Sequence, residues 1–114
     1  MVQEYQNRPV TIPAGGQYSF SANLKGPLYV EAIEMPDAWT AANLTAQKEG
    51  ADGAWHNVHD TDGEYVINGV VAGAFIHLLD DLLGHGYIRL RSGTAAAPVN
   101  QVADHEIILH VRRV

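Results

Sequence analysis

The sequence predicts an all-β fold, an antiparallel sandwich of jelly-roll-like or immunoglobulin-like type with about eight or nine short strands. Three observations lead there. Glycine and proline, 11 and 5 of the 114 residues, punctuate the chain at short intervals. The runs between them alternate apolar and polar residues with the period of a half-buried strand. No heptad, solenoid period or low-complexity tract competes with that pattern. The length suits a single domain over residues 1–114, large enough to bury about two-thirds of its unfolded surface without a metal or disulfide.

The elements follow in order. Residues 1–8 read as an extended N-terminal arm, and Arg8 to Ile12 as the first strand, ended by Pro13-Ala14-Gly15-Gly16. In Gln17 to Ala22, Tyr18 and Phe20 face one way and Ser19 and Ser21 the other. Asn23 to Pro27 reads as a loop. In Leu28 to Met35, Leu28, Val30 and Ala32 oppose Tyr29, Glu31 and Ile33. The alanines between 38 and 46 favour a helix, but Leu44, Ala46 and Lys48 alternate with Thr45, Gln47 and Glu49, so the second half reads as a strand. Gly50-Ala51-Asp52-Gly53 is a hairpin loop and Trp55 to His59 the return strand.

Asp60-Thr61-Asp62-Gly63 is a tight turn in which glycine supplies positive φ. Ala74 to Leu79 is a further candidate strand, and Asp80 to Leu83 a candidate helical turn. Tyr87 to Arg91 places Ile88 and Leu90 inward and Tyr87, Arg89 and Arg91 outward. Ala95 to Ala103 reads as a loop-like second docking arm. The last strand, His105 to Val114, turns Ile107, Leu109 and Val111 to the core and Ile108, His110 and Arg112 away. The expected core is Phe20, Val30, Leu44, Trp55, Val58, Ile88, Leu90, Ile107, Leu109 and Val111.

Composition narrows the function. The absence of cysteine removes disulfide frameworks, thiolate metal sites and cysteine nucleophiles. Seven basic residues and a net charge of −6 argue against a nucleic-acid partner, whose affinity comes from neutralising phosphates, and against an anionic membrane surface. The N-terminus, Met1-Val2-Gln3-Glu4-Tyr5, is not a signal peptide, and no apolar run is long enough to cross a bilayer.

The six histidines are the natural candidates for metal chemistry. His56 and His59 stand three apart, which on a strand sends them to opposite faces, so no metal site is assigned. Asp60-Thr61-Asp62-Gly63-Glu64 echoes the start of a calcium loop, but the position due a glutamate is Val71. The plainer reading is a hairpin whose aspartates bond local amides. Adjacent Asp80 and Asp81 diverge and make a poor acid–base pair. Gly84-His85-Gly86 lacks the third glycine and following helix of a nucleotide loop, and no serine elbow is present. No catalytic residue, cofactor or enzyme activity is expected. Arg89 and Arg91, with Tyr87, remain as a candidate interface or sugar site, or as a solvated face paired with carboxylates.

Two resemblances arise from longer runs. Gly50-Ala51-Asp52-Gly53-Ala54-Trp55-His56-Asn57-Val58, with the later Gly86-Tyr87-Ile88-Arg89-Leu90-Arg91, is similar to discoidin-like and galactose-binding-like jelly rolls. A second, more specific order begins with Leu44-Thr45-Ala46-Gln47, Asp52 to Asp60 and Gly73 to Leu78. It continues with Tyr87 to Thr94, Ala96 to Gln101 and the closing Val111-Arg112-Arg113-Val114. Its most telling part is Arg91-Ser92-Gly93-Thr94 with Pro98-Val99-Asn100-Gln101. This order resembles a family of small structural proteins of tailed bacteriophages and prophages.

That resemblance implies a non-enzymatic virion component: a head decoration, neck or tail accessory protein made in the bacterial host cytoplasm. It implies capsid, neck or tail subunits and copies of itself as partners, in a homo-oligomer. The alternatives are two. A carbohydrate-binding module would use Trp39, Trp55, Tyr65 and Tyr87 with Arg89 and Arg91. A cupin-like enzyme would need His56, His59 and another histidine to converge.

Overall fold

A computed structural model describes residues 4–24, 28–78 and 86–113. Their order is β1 (Glu4–Ile12), β2 (Ala22–Leu24), β3 (Leu28–Glu34), β4 (Leu44–Glu49), β5 (Trp55–Asn57), β6 (His59–Asp60), β7 (Gly63–Glu64), β8 (Phe75–His77), β9 (Gly86–Ser92) and β10 (His105–Arg113). Strands β1, β10, β3 and β8 form one antiparallel sheet, in that order. Strands β2, β9, β4 and β5 form the other, and β6 with β7 is a separate hairpin. Apart from that hairpin, the chain changes sheets at every step except from β4 to β5. This is jelly-roll winding, so of the two expected sandwich types the structure selects the jelly roll.

The inner faces pack Val10, Ile12, Leu24, Val30, Ile33, Leu44, Ala46, Ile88, Leu90, Ile107, Leu109 and Val111 into one core. Burying aliphatic side chains of this kind stabilises by about 1.5–3 kcal/mol each, before chain entropy opposes it. Eight of the ten expected core residues are buried, all but Phe20 and Trp55. The strand from Tyr87 and the closing strand place their inward residues as the alternation requires.

Four differences have physical causes. The chain is already in β1 by Glu4, paired with β10 from Glu4↔Arg113 to Ile12↔His105, so residues 4–8 are sheet rather than arm. Arg8 has intrasheet neighbours and donates from Nη1 to the Asn23 carbonyl. Residues 17–24 cross between the sheets instead of forming one strand. The Ser19 N–H donates to Leu90 O in one sheet, and the Phe20 N–H donates to Thr11 O in the other. That crossing breaks the alternation, burying Ser19 and leaving Phe20 66% exposed. It also makes a short strand of Ala22–Leu24, part of which reads as loop in the sequence.

In β3 the register against β10 shifts between His110 and Val111: His110 faces Ala32, whereas Val111 faces Val30. The extra residue, Glu31, is a β-bulge, and a bulge inverts the phase of everything beyond it. Ile33 therefore enters the core opposite Leu109, and Ala32 moves to the outer face. Finally, Arg91 points outward as expected yet is 3% exposed. Asp80 to Leu83 lies outside the described residues.

At the edge, Thr11 turns its carbonyl outward to Phe20, so Pro9, two residues back, also turns its backbone outward. Its missing N–H thus costs no ladder bond, and it blunts the edge against strand addition.

Candidate functional site

The outer face of the second sheet is built by cross-strand pairing. The register Thr45↔Arg91 and Gln47↔Arg89 joins β4 to β9, and Gln47↔Asn57 and Glu49↔Trp55 joins β4 to β5. A single bridge sets Tyr18 beside Arg91. Directly paired residues share a face, so Tyr18, Thr45, Gln47, Glu49, Trp55, Asn57, Tyr87, Arg89 and Arg91 are all on it.

The two arginines do different things there. Arg91 is enclosed: Nε donates to Thr45 Oγ1 at 2.9 Å, Nη1 to Asn57 Oδ1 at 3.0 Å, and Nη2 to Glu64 Oε2 at 2.6 Å. The β6–β7 hairpin brings Glu64 over the sheet, and Glu64 also accepts the Ala95 N–H. Arg91 is thereby a buried tie between sheet, hairpin and the 94–98 loop. The expectation of an exposed Arg89–Arg91 pair is corrected accordingly: the hairpin covers one of the two.

Arg89 stays half-buried. Its Nε and Nη2 both donate to Gln47 Oε1, at 2.8 and 2.6 Å. Its guanidinium carbon lies 4.0 Å from the centre of the Tyr18 ring and 4.6 Å from that of Trp55. Stacking on rings suits a weakly hydrated planar cation. Loss of solvent on burial pulls the Arg89 pKa below its ordinary value, with the Arg91 charge adding to the decrease.

Of the four aromatics weighed for a sugar site, Trp39 and Tyr65 pack against the core. Trp39 also meets His105, with ring centres 5.7 Å apart. Trp55 and Tyr87 are on the polar face. Tyr18 completes it, unseen in the sequence because its role depends on a bridge across 73 residues of chain.

The run 91–101 proves to be a hydrogen-bonded unit. Gln101 is fully buried: its Oε1 accepts from Thr40 N–H, and its Nε2 donates to Thr40 O and Ser92 Oγ. Gly93 has φ +86°, and a Cβ there would lie 2.5 Å from Ala97 O. Thr94 closes the turn by accepting the Ala97 N–H, and the Val99 N–H donates to Ser92 O. Residues 95–103 are therefore anchored at Ser92, Gly93 and Glu64 as a loop, though Ala95 to Pro98 and Val102 stay exposed.

The histidines separate. His56 Nε2 sits 3.0 Å from the Asp52 carboxylate within the 50–54 hairpin. The Asp60 carboxylate accepts the Asp62 N–H, so that segment is a hairpin with a local aspartate turn. Among the described residues no group of three or more His, Cys, Asp or Glu is placed to hold a metal ion.

The outer face of the first sheet carries a second cluster. His77 and His110 flank Ala32, and Phe75 meets both rings, with centres 5.2 and 4.7 Å away. His110 also lies 2.9 Å from Glu34. Phe75 is 49% exposed, and Val71, across the tight turn before it, is exposed as well. No protein-family model matches the chain, and neither a curated protein nor a solved structure matches it.

Proposed function

We propose that this chain is a non-enzymatic structural subunit of a tailed-phage particle, working through protein contacts. The motif order over residues 44–114 supports the virion part of this reading. The observation that carries the contact part is the exposed Phe75, set against His77 and His110 on the outer face of the first sheet, with the exposed Val71 in the turn that leads into it. A contiguous exposed apolar patch is a common mark of an interaction surface. Jelly rolls serve capsids, lectins and cupins alike, so the winding alone does not choose among them.

Native mass spectrometry tests the self-association. A closed ring-sized oligomer is expected, reduced to monomer by Phe75→Asp. A wild-type chain that stays monomeric at high micromolar concentration overturns it. For the virion assignment, flanking genes for a portal or major capsid protein are expected, and metabolic neighbours overturn it.

A second reading, a carbohydrate-binding module, is favoured by one specific observation: the Tyr18–Arg89–Trp55 stack on a polar outer face. A saturable hit on a glycan array supports that reading.

A further inference from the structure

On the outer face of the second sheet, Arg89 has no ion-pair partner among the described residues, although the exposed Glu49 shares that face. Among the described residues no carboxylate comes within 4.0 Å of Arg89, whereas Arg91, two residues on, is neutralised by Glu64. This is unusual in a chain of net charge −6. A half-buried guanidinium ordinarily finds a carboxylate, because the loss of water around it is otherwise uncompensated.

The guanidinium is also held in place. Its two ring neighbours fix its plane, and Gln47 Oε1 takes Nε and Nη2 together. The Nη1 edge has no acceptor among the described residues. A planar fork with one open edge and a fixed plane is suited to accepting a carboxylate. Gln47 itself is anchored, its Nε2 donating to Asn57 Oδ1. Little reorganisation is then needed on binding.

The neighbours indicate what bears that carboxylate. The face presents the rings of Tyr18 and Trp55, the exposed amide of Asn57 and, beside Trp55, the exposed carboxylate of Glu49, and no exposed aliphatic side chain from β4, β5 or β9. A docking peptide seats its hot-spot side chains in well-packed, desolvated pockets. Rings beside amide groups suit a sugar, which has apolar C–H faces and hydroxyl edges.

We infer that Arg89, flanked by Tyr18 and Trp55, is the anchor of a binding site for an acidic saccharide, its Nη1 edge receiving a uronate-type carboxylate. The inference rests on the carbohydrate reading above and narrows it to a charge class.

The test is calorimetry on the full chain with tetragalacturonate, a hyaluronan tetrasaccharide and the methyl-esterified form of each, preceded by an array of acidic and neutral glycans. At least one acidic saccharide is expected to bind saturably, with methyl esterification weakening it tenfold or more. Arg89→Lys, which keeps the charge but loses the fork, should weaken binding at least tenfold while the chain stays folded by circular dichroism at the assay temperature. Trp55→Ala should weaken it similarly.

Equal binding of acid and ester, or an unaffected Arg89→Lys variant, overturns the acidic assignment and leaves the carbohydrate reading standing. No binding to any glycan overturns both. Binding of an acidic peptide through Arg89, with no saccharide bound, also overturns the inference and returns this face to protein contacts.

Discussion

Glu64 Oε2 stands 2.6 Å from Arg91 Nη2, and this ion pair joins a two-stranded hairpin to the middle of a sheet. The arginine is almost wholly enclosed, and its other nitrogens are bonded to Thr45 and Asn57. Removing one member of such a pair leaves the other charged in a dry place. Glu64→Gln and Arg91→Met should each destabilise the fold by about 3–5 kcal/mol. The double variant should lose less than the sum of the two. Urea denaturation of the four proteins measures this; additive losses would show that the pair is not coupled.

Gly93 and Gly53 have nearly the same positive φ, +86° and +79°. Only Gly93 has backbone in the space a Cβ would take, with Ala97 O at 2.5 Å and Val99 N at 2.8 Å. Gly53→Ala should therefore cost only the conformational strain, about 1–2 kcal/mol. Gly93→Ala should cost clearly more, since a fixed backbone must also move. Thermal melts of the two variants compare them directly, and equal melting temperatures would contradict the crowding at Gly93.

Gln101 holds the 37–43 segment by presenting its amide to both backbone groups of Thr40. Gln101→Leu keeps the volume and leaves the Thr40 N–H and C=O without those partners. An orphaned buried polar group costs about 1–3 kcal/mol, so a loss of that order or more is expected in chemical denaturation. Trp39, which donates to Ala42 O in the same segment, should report the loosening through its fluorescence.

The Asp52 carboxyl titrates below the ordinary carboxylate value, chiefly because it accepts a hydrogen bond from His56, with the Ala54 N–H adding to the effect. Folding thus favours the deprotonated form. The stabilisation is present above the unfolded carboxylate pKa and is lost as the pH falls through the depressed folded one. An NMR titration of the Asp52 side chain should show a low midpoint that rises in His56→Ala. An unchanged midpoint would show that His56 is not the cause.

Local pattern alone carries much of this fold. Turn chemistry at 50–53 and 60–63 depends on residues adjacent in the chain, and strand period needs only neighbours. That is why β4, β9, β10 and their inward residues are legible in the sequence itself. The same logic makes Arg89 a candidate.

Long-range partners decide the rest. The bulge at Glu31 exists only because β10 lies alongside, and it alone puts Ile33 inside. Phe20 is exposed because residues 19–20 bond two different sheets, which no local alternation encodes. Arg89 and Arg91 have the same residue type, strand and face. What separates them is that the β6–β7 hairpin carries Glu64 onto one and leaves the other, stacked between Tyr18 and Trp55, without a carboxylate among the described residues. A strand's period determines which way a side chain points. Whether it is then covered, paired or left open depends on what the winding lays over it.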